Sequence, residues 1–220
     1  EKMLELAYPP DFPYHWPVIG YMADLEQAKM ADVKEFFQNF YAPNNASIVA
    51  AGDFETEPVR EMIEKYFADI PPNPKIPAFS KKFENYFCGE QRLVLTDRVQ
   101  LPRIYAAYHL PAYGTNEFYQ ADLISDILSA GKSSRLFQSL VYKQQLAQDA
   151  QAFLLPLEKT SLLIFAATAK PGVKIGTLEQ ALQKEIDLLC GSKPEEQEVQ
   201  KIKSQLEECK IRELQSVAAR

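Results

Sequence analysis

Cysteine, histidine and tryptophan are scarce in this 220-residue chain, at three, two and one. Cys88, Cys190 and Cys209 are scattered, with no Cys-x-x-Cys pair and no spacing that reads as a disulfide framework, so they are expected to be semi-buried thiols. His15 and His109 lie far apart, in "FPYHWPVIG" and "AAYHLPAY". They form none of the His-x-x-x-His, His-Glu-x-x-His or His-x-x-Glu-His spacings that set two imidazoles on one helix face for zinc. Both read as hydrogen-bonded structural residues. No Gly-x-Ser-x-Gly elbow occurs, and no cysteine has a histidine nearby in sequence. Basic residues are outnumbered by acidic ones, 24 to 30, for a net charge of −6. That balance argues against a nucleic-acid partner or an anionic membrane surface, both of which need clustered Lys and Arg. The longest clear apolar run, Leu162 to Ala167, is far short of the ~20 residues that span a bilayer.

What is present is ordinary for a globular protein: 46% hydrophobic and 25% charged residues, in a chain long enough to bury a real core. Residues 30–40 carry the i, i+3, i+4, i+7 stripe of an amphipathic helix at Val33, Phe36, Phe37 and Phe40. The "YAPNN" turn follows, and then "ASIVAAG", which predicts a buried strand closed by Gly52-Asp53. "ETEPVREMIEKYF" predicts a second helix, with Pro58 in its first turn. "IPPNPKIPAF" holds four prolines in ten residues and reads as a stiff extended linker. Beyond it, strands are expected at "QRLVLTD" and "RIYAAYHL", and helices over 118–129 and 134–146. A hairpin is expected around Glu158-Lys159, and long helices over 177–190 and 195–217. The last should bury one face through Val199, Ile202, Leu206 and Cys209. Strands and helices mix without strict alternation, so the fold class is α+β with a mixed or antiparallel sheet.

One tripeptide tests a specific chemistry. Gly131-Lys132-Ser133 matches the end of a phosphate loop, but that loop needs a glycine five residues earlier, where this chain has Asp126. The preceding segment is also periodic as a helix, not a strand. "AGKSS" therefore reads as a helix junction, with Gly131 ending one helix and Ser133 or Ser134 capping the next. Carboxylate runs such as "KPEEQEV" and "QLEECKIREL" read as solvated helix faces, and none stands out as a shifted catalytic acid. Taken residue by residue, the chain shows no catalytic constellation.

The order of segments carries more than any one motif. "FPYHWPVIGYMADLEQAKMADVKEFFQNFYAPNNASIVAAGDFETEPVREMIEKYFADIP" resembles the end of the first half of a pitrilysin/insulinase-family (M16) zinc metallopeptidase. "LPRIYAAYHLPAYGTNEFYQADLISDILSAGKSSRLFQSLVYKQQLAQDAQAF" resembles the start of the second half, with the helix junction at "GKSSRL". The resemblance covers nearly the whole chain, and the small bacterial processing-peptidase type fits best. It implies residues 1–70 as the C-terminal part of a first half, 71–90 as a Pro-rich linker, and 91–220 as a second half that stops before its last helix–strand–helix unit. It also implies a parent that hydrolyses peptides at Zn2+, works as a clamshell with a second M16-type half or subunit, and could form homo-oligomers. The compartment, bacterial periplasm or cytoplasm, is not implied.

Two departures qualify that expectation. The family's His-x-x-Glu-His and its further glutamate would lie before Glu1, so this chain is expected to be a fragment with no catalytic or metal-binding residue of its own and no bound zinc. The family also donates an arginine, and a tyrosine seven residues on, from "R.K..LAY" to the substrate backbone. Here Val141 and Gln148 occupy those two positions. A non-catalytic M16-like structural or partner subunit is the alternative expectation, and the residues upstream of Glu1 would separate the two.

Overall fold

The computed structural model describes residues 2–77 and 89–215. In chain order the elements are α1 (Lys2–Ala7), a 3-10 turn (Pro13–His15), α2 (Met22–Gln27), α3 (Met30–Phe40), a 3-10 turn (Pro43–Asn45) and α4 (Thr56–Phe67). They continue with β1 (Arg103–Leu110), α5 (Asn116–Ser129), a π-helical segment (Phe137–Lys143), β2 (Ala147–Leu155), β3 (Ser161–Ala169), α6 (Ile175–Gly191) and α7 (Glu196–Glu213). The fold is α+β. Its sheet is fully antiparallel, in the order β1-β3-β2, with β2 and β3 forming the expected hairpin. No described helix is long and apolar enough to cross a membrane.

The chain divides into two compact units, Glu1–His15 with Phe83–Arg220, and Trp16–Lys82. Residues 2–15, expected to belong with the segment that follows them, instead pack within the larger unit. There β3 is buried on both faces. Phe165, Ala167 and Ala169 join Leu128 of α5, Leu136 and Leu140 of the helix junction, and Leu178, Leu182 and Ile186 of α6 in the main core. The spacing 178, 182, 186 places one residue per turn on the face α6 turns to the sheet. The facing β2 residues are Ala147, Ala150 and Ala152, small enough to let the helices approach. On the opposite sheet face Leu162 and Ile164 meet Tyr8 and Phe12, two aromatics of the N-terminal segment that are at most 1% exposed. That segment is a strap across the sheet. Tyr8 stacks on Phe12 at 5.8 Å, Tyr14 meets both rings edge-on, and the Lys159 N–H donates to Tyr14 Oη at 3.0 Å.

Several expectations fail for one physical reason. Residues 46–52 and 91–97 form no strand, and Ile48, Val49, Leu93, Val94 and Leu95 are exposed. Apolar, β-branched composition marks a strand only when a neighbour completes its ladder, and among the described residues none does. The helices of the smaller unit keep their apolar stripe, yet Val33, Phe36, Phe37 and Phe40 all stay exposed. Helix α7 buries Ile202 alone; Leu206 and Cys209 face solvent, as does Cys190, while Cys88 lies outside the described residues. The Pro-rich segment is anchored near its start at Asn73. Asn73 accepts from Asn44 Nδ2 on its carbonyl and donates its N–H to Asn44 Oδ1, at 2.8 and 2.9 Å. The rest of the expected linker falls largely outside the described residues.

The strap predicts a specific stability effect. Phe12→Ala should destabilise the protein by about 3 kcal/mol, the usual cost of emptying a fully buried phenylalanine site. Ile19→Ala, at an exposed position nearby in sequence, should be near neutral. Urea unfolding of both variants measures the difference, and equal midpoints would show that the strap contributes nothing.

Candidate functional site

The region around Val141 and Gln148 is where the sequence raises a question of chemistry, and it is built from two backbone irregularities in succession. Helix α5 starts at Thr115, whose Oγ1 accepts from the Phe118 N–H at 3.3 Å. It ends at Ala130, after which Gly131 takes φ +76°, a left-handed conformation that suits glycine. Ser134 then donates its hydroxyl to the Gly131 carbonyl at 2.7 Å, and Lys201 bonds Ser133 Oγ. Ser134 thus closes the turn through a carbonyl instead of capping a helical N–H. The junction holds no phosphate cradle. Arg135 spans to α7 with two bonds to Glu198, at 2.8 and 2.5 Å, which hold the Glu198 carboxyl below its ordinary range.

The following helix is not the α-helix expected over 134–146. Phe137–Lys143 is π-helical, and its exit widens further: the Gln144 N–H donates to Ser139 O, and the Leu146 N–H to Leu140 O, both at 2.9 Å. Gln145 reverses the chain at φ +53°, the one non-glycine residue in the left-handed region among those described. Three residues later the β2–β3 ladder slips: Ala147 pairs with Ala169 but Asp149 pairs with Thr168, so Gln148 is the extra residue of a β-bulge. Val141 and Gln148 are therefore not two positions on one helix face. Val141 lies in the π-helical segment and packs half-buried against the main core, while Gln148 sits exposed at the start of a strand. Neither offers a charged or phenolic donor.

The two histidines, distant in sequence, meet on the strap. His109 on β1 bonds the Ala7 carbonyl through Nε2 at 2.9 Å, and His15 bonds the next carbonyl, Tyr8 O, through Nδ1 at 2.7 Å. Each ring thus contributes an N–H to main-chain satisfaction at the end of α1. Burial beside the Tyr8 ring, 5.3 Å away edge-on, lowers the His109 pKa from its ordinary 6.5, opposed by the Ala7 bond. Among the described residues no group of three or more His, Cys, Asp or Glu side chains could hold a metal ion. One perturbed carboxyl escaped the sequence reading. Asp126 on α5 is pushed up by burial and then by Asp122, and both line an open cleft of about 360 Å3 with Tyr113, Phe118 and Phe153. The signal available in the sequence was Asp122 and Asp126 at i, i+4, a like-charge spacing on one helix face.

Comparison with known proteins follows the same segments. The family model described as "Peptidase M16 inactive domain" matches residues 28–206. A zinc protease PqqE from Helicobacter pylori is 33% identical over 176 residues, which is 79% of this chain and 39% of that protein. The crystal structure of a protease from Helicobacter pylori superposes with TM-score 0.87 at 29% identity, over 99% of this chain and 53% of that one. A peptidase M16 inactive domain from Pseudomonas fluorescens shares the fold, with TM-score 0.74 at 17% identity over 93% of this chain and 49% of that chain. This chain thus spans well under two thirds of the length of these relatives.

The half-buried His109 predicts a pH effect. A base whose folded pKa is depressed contributes stability that is complete above its unfolded pKa, and loses it as pH falls through the folded value. Wild-type protein should therefore lose more stability between pH 7.5 and pH 5 than His109→Asn, whose amide can still donate to Ala7 O but cannot titrate. Thermal unfolding at the two pH values checks this, and parallel losses would refute it.

Proposed function

From the premise that this chain belongs to the M16 peptidase family, in its inactive-domain branch of sequence, we propose that it is the non-catalytic part of a zinc metalloendopeptidase that acts on peptides. On this reading residues 1–70 belong to the end of a first M16-type half, with residues 2–15 packing in the larger unit, 71–90 link, and 91–220 form most of a second half. The residues present do not fit the zinc. Both imidazoles bond main-chain carbonyls, and among the described residues no group of three or more His, Cys, Asp or Glu side chains could hold a metal ion. The metal and the groups that activate water on it would belong to another part of the parent or to a partner half.

One observation carries the reading further: the emptied donor pair. A π-helical turn and a β-bulge are the kinds of local distortion that re-aim side chains, and they recur at functional sites. Here they deliver a valine into the core and a neutral amide to solvent. In an acyl-transfer step the carbonyl oxygen gains charge in the transition state, and removing one donor aimed at it costs about 3 kcal/mol, a hundredfold or more in rate. A chain with Val141 and Gln148 at these places depends on an arginine and a tyrosine from another polypeptide or another half. The same vacancy supports a second reading, a structural or assembly subunit that no longer takes part in hydrolysis.

The test separates them. Full-length parent protein, assayed on unstructured peptides, should be about a hundredfold or more slower alone than with a partner from the same genome that carries "R.K..LAY". Strong cleavage by the parent alone would overturn the dependence. Absence of cleavage with every such partner, and no His-x-x-Glu-His in the parent, would favour the structural subunit.

A further inference from the structure

Helix α5 turns one stripe of residues, Phe118, Asp122, Ser125, Asp126 and Ser129, toward β2, an outer strand of the sheet. Parts of that stripe are tightly packed. Phe118 and Ser125 are each 4% exposed, and Ser129 donates its hydroxyl to the Ala152 carbonyl at 2.7 Å, tying helix to strand. Beside these fixed points lies the open cleft of about 360 Å3, lined also by Tyr113 and by Leu154 of β2. The Tyr113 ring meets Phe118 edge-on at 5.2 Å, and its main-chain N–H donates to the Leu157 carbonyl at 3.0 Å, which holds the loop that carries it. At 58% exposure Tyr113 stands at an open mouth.

Asp122 and Asp126 stand one turn apart on this stripe, both half-buried. Elsewhere in the larger unit partly buried carboxylates meet a donor: Glu198 pairs with Arg135 at 2.5 Å, and Glu185 accepts from Ser139 Oγ at 2.6 Å. Among the described residues no hydrogen bond or ion pair reaches the carboxylate of Asp122 or Asp126, and no side chain lining the cleft is cationic. Ser125 adds a third acceptor. Its proton goes to the Asp122 carbonyl at 2.8 Å, so its oxygen can only accept from a ligand. Tyr113 is the other lining side chain with a donor, and its hydroxyl sits beside that of Tyr119. The cleft thus sets three acceptors, two of them anionic, against aromatic and aliphatic carbon. Taking charge partly out of water without a partner is costly, and a cation with several donors offsets that cost.

We propose that the cleft between α5 and β2 binds an ammonium or guanidinium group carried on an apolar stem. Asp122 and Asp126 are its counter-charges, Ser125 Oγ is a further acceptor, and the Tyr113 ring lies beside the stem and the charge. A bare metal ion fits less well: among the described residues no third His, Cys, Asp or Glu joins the two aspartates. Aromatic carbon next to carboxylate is the surface that an organic cation needs. Lysine and arginine side chains of a polypeptide share this chemistry with free alkylamines. The site requires neither zinc nor hydrolysis, so it stands apart from the function proposed above.

The experiment is a fluorescence-anisotropy titration of the 220-residue chain, at physiological ionic strength, with a labelled peptide blocked at both ends, Gly-Ser-Gly-Arg-Gly-Ser-Gly. The control peptide carries citrulline, which keeps the shape of arginine and loses its charge. Wild type should bind the arginine peptide about tenfold more tightly than the control, and Asp122→Asn and Asp126→Asn should each weaken that binding about tenfold. Tyr113→Ala should weaken it by roughly threefold. Glu207→Gln, on an exposed part of α7, should stay within about twofold, which separates this site from the general pull of a net charge of −6. Competition with unlabelled cadaverine distinguishes the sources: displacement assigns the site to free alkylamines as well, and its failure assigns it to polypeptide side chains. Amide NMR of the wild type needs no variant, and the arginine peptide should shift the signals of residues 122–129. Absence of binding, equal binding of the arginine and citrulline peptides, equal losses in Glu207→Gln and the aspartate variants, or shifts confined to other residues would each overturn the proposal.

Discussion

Strand β3 is the element on which the larger unit depends, because it is paired on both edges and buried on both faces. Its even and odd residues serve two different cores: Phe165, Ala167 and Ala169 face the helices, while Leu162 and Ile164 face the strap. A strand in that position must be apolar nearly throughout, and "SLLIFAATA" is. Full burial of a leucine or isoleucine is worth about 2 kcal/mol, so either face left bare would remove a large share of a small margin. The strap and the helices are thus coupled through one strand, although they never need to touch.

Covering that strand creates polar obligations, and scarce residues meet them. The strap ends α1 against the sheet, where the Ala7 and Tyr8 carbonyls meet His109 and His15. The turn before β3 is closed by its own hydroxyls: Thr160 Oγ1 donates to Leu110 O at 2.9 Å, and Ser161 Oγ accepts from the Leu157 N–H at 3.1 Å. Buried donors and acceptors without partners are costly, so these bonds define where the chain can cross the sheet. The chain's entire stock of histidine serves this purpose.

The region at Val141 and Gln148 separates backbone from chemistry. A π-helical exit, a left-handed Gln145 and a bulge at Gln148 follow within a few residues, each an irregular feature that a plain helix-to-strand connection does not require. The side chains placed there are a valine packed against the main core and an exposed neutral amide.

The sequence by itself determined the periodic elements: α3, α4, α5, α6, β1 and the β2–β3 hairpin lie within about three residues of where apolar spacing and turn residues put them. It also excluded the phosphate loop, because a missing glycine and a helical approach are local facts. Tertiary structure decided what depends on distant residues. Residues 46–52 and 91–97 have the composition of strands but no ladder among the described residues, so composition misled. The helix expected over 134–146 opened into a π-turn followed by a bulge, because Leu140 and Leu146 are drawn to the core on either side of the exit. The strap, the meeting of His15 with His109 on adjacent carbonyls, and the cleft between α5 and β2 all join residues remote in sequence. Periodicity reports which face of an element is apolar; only the packed chain reports which face it meets.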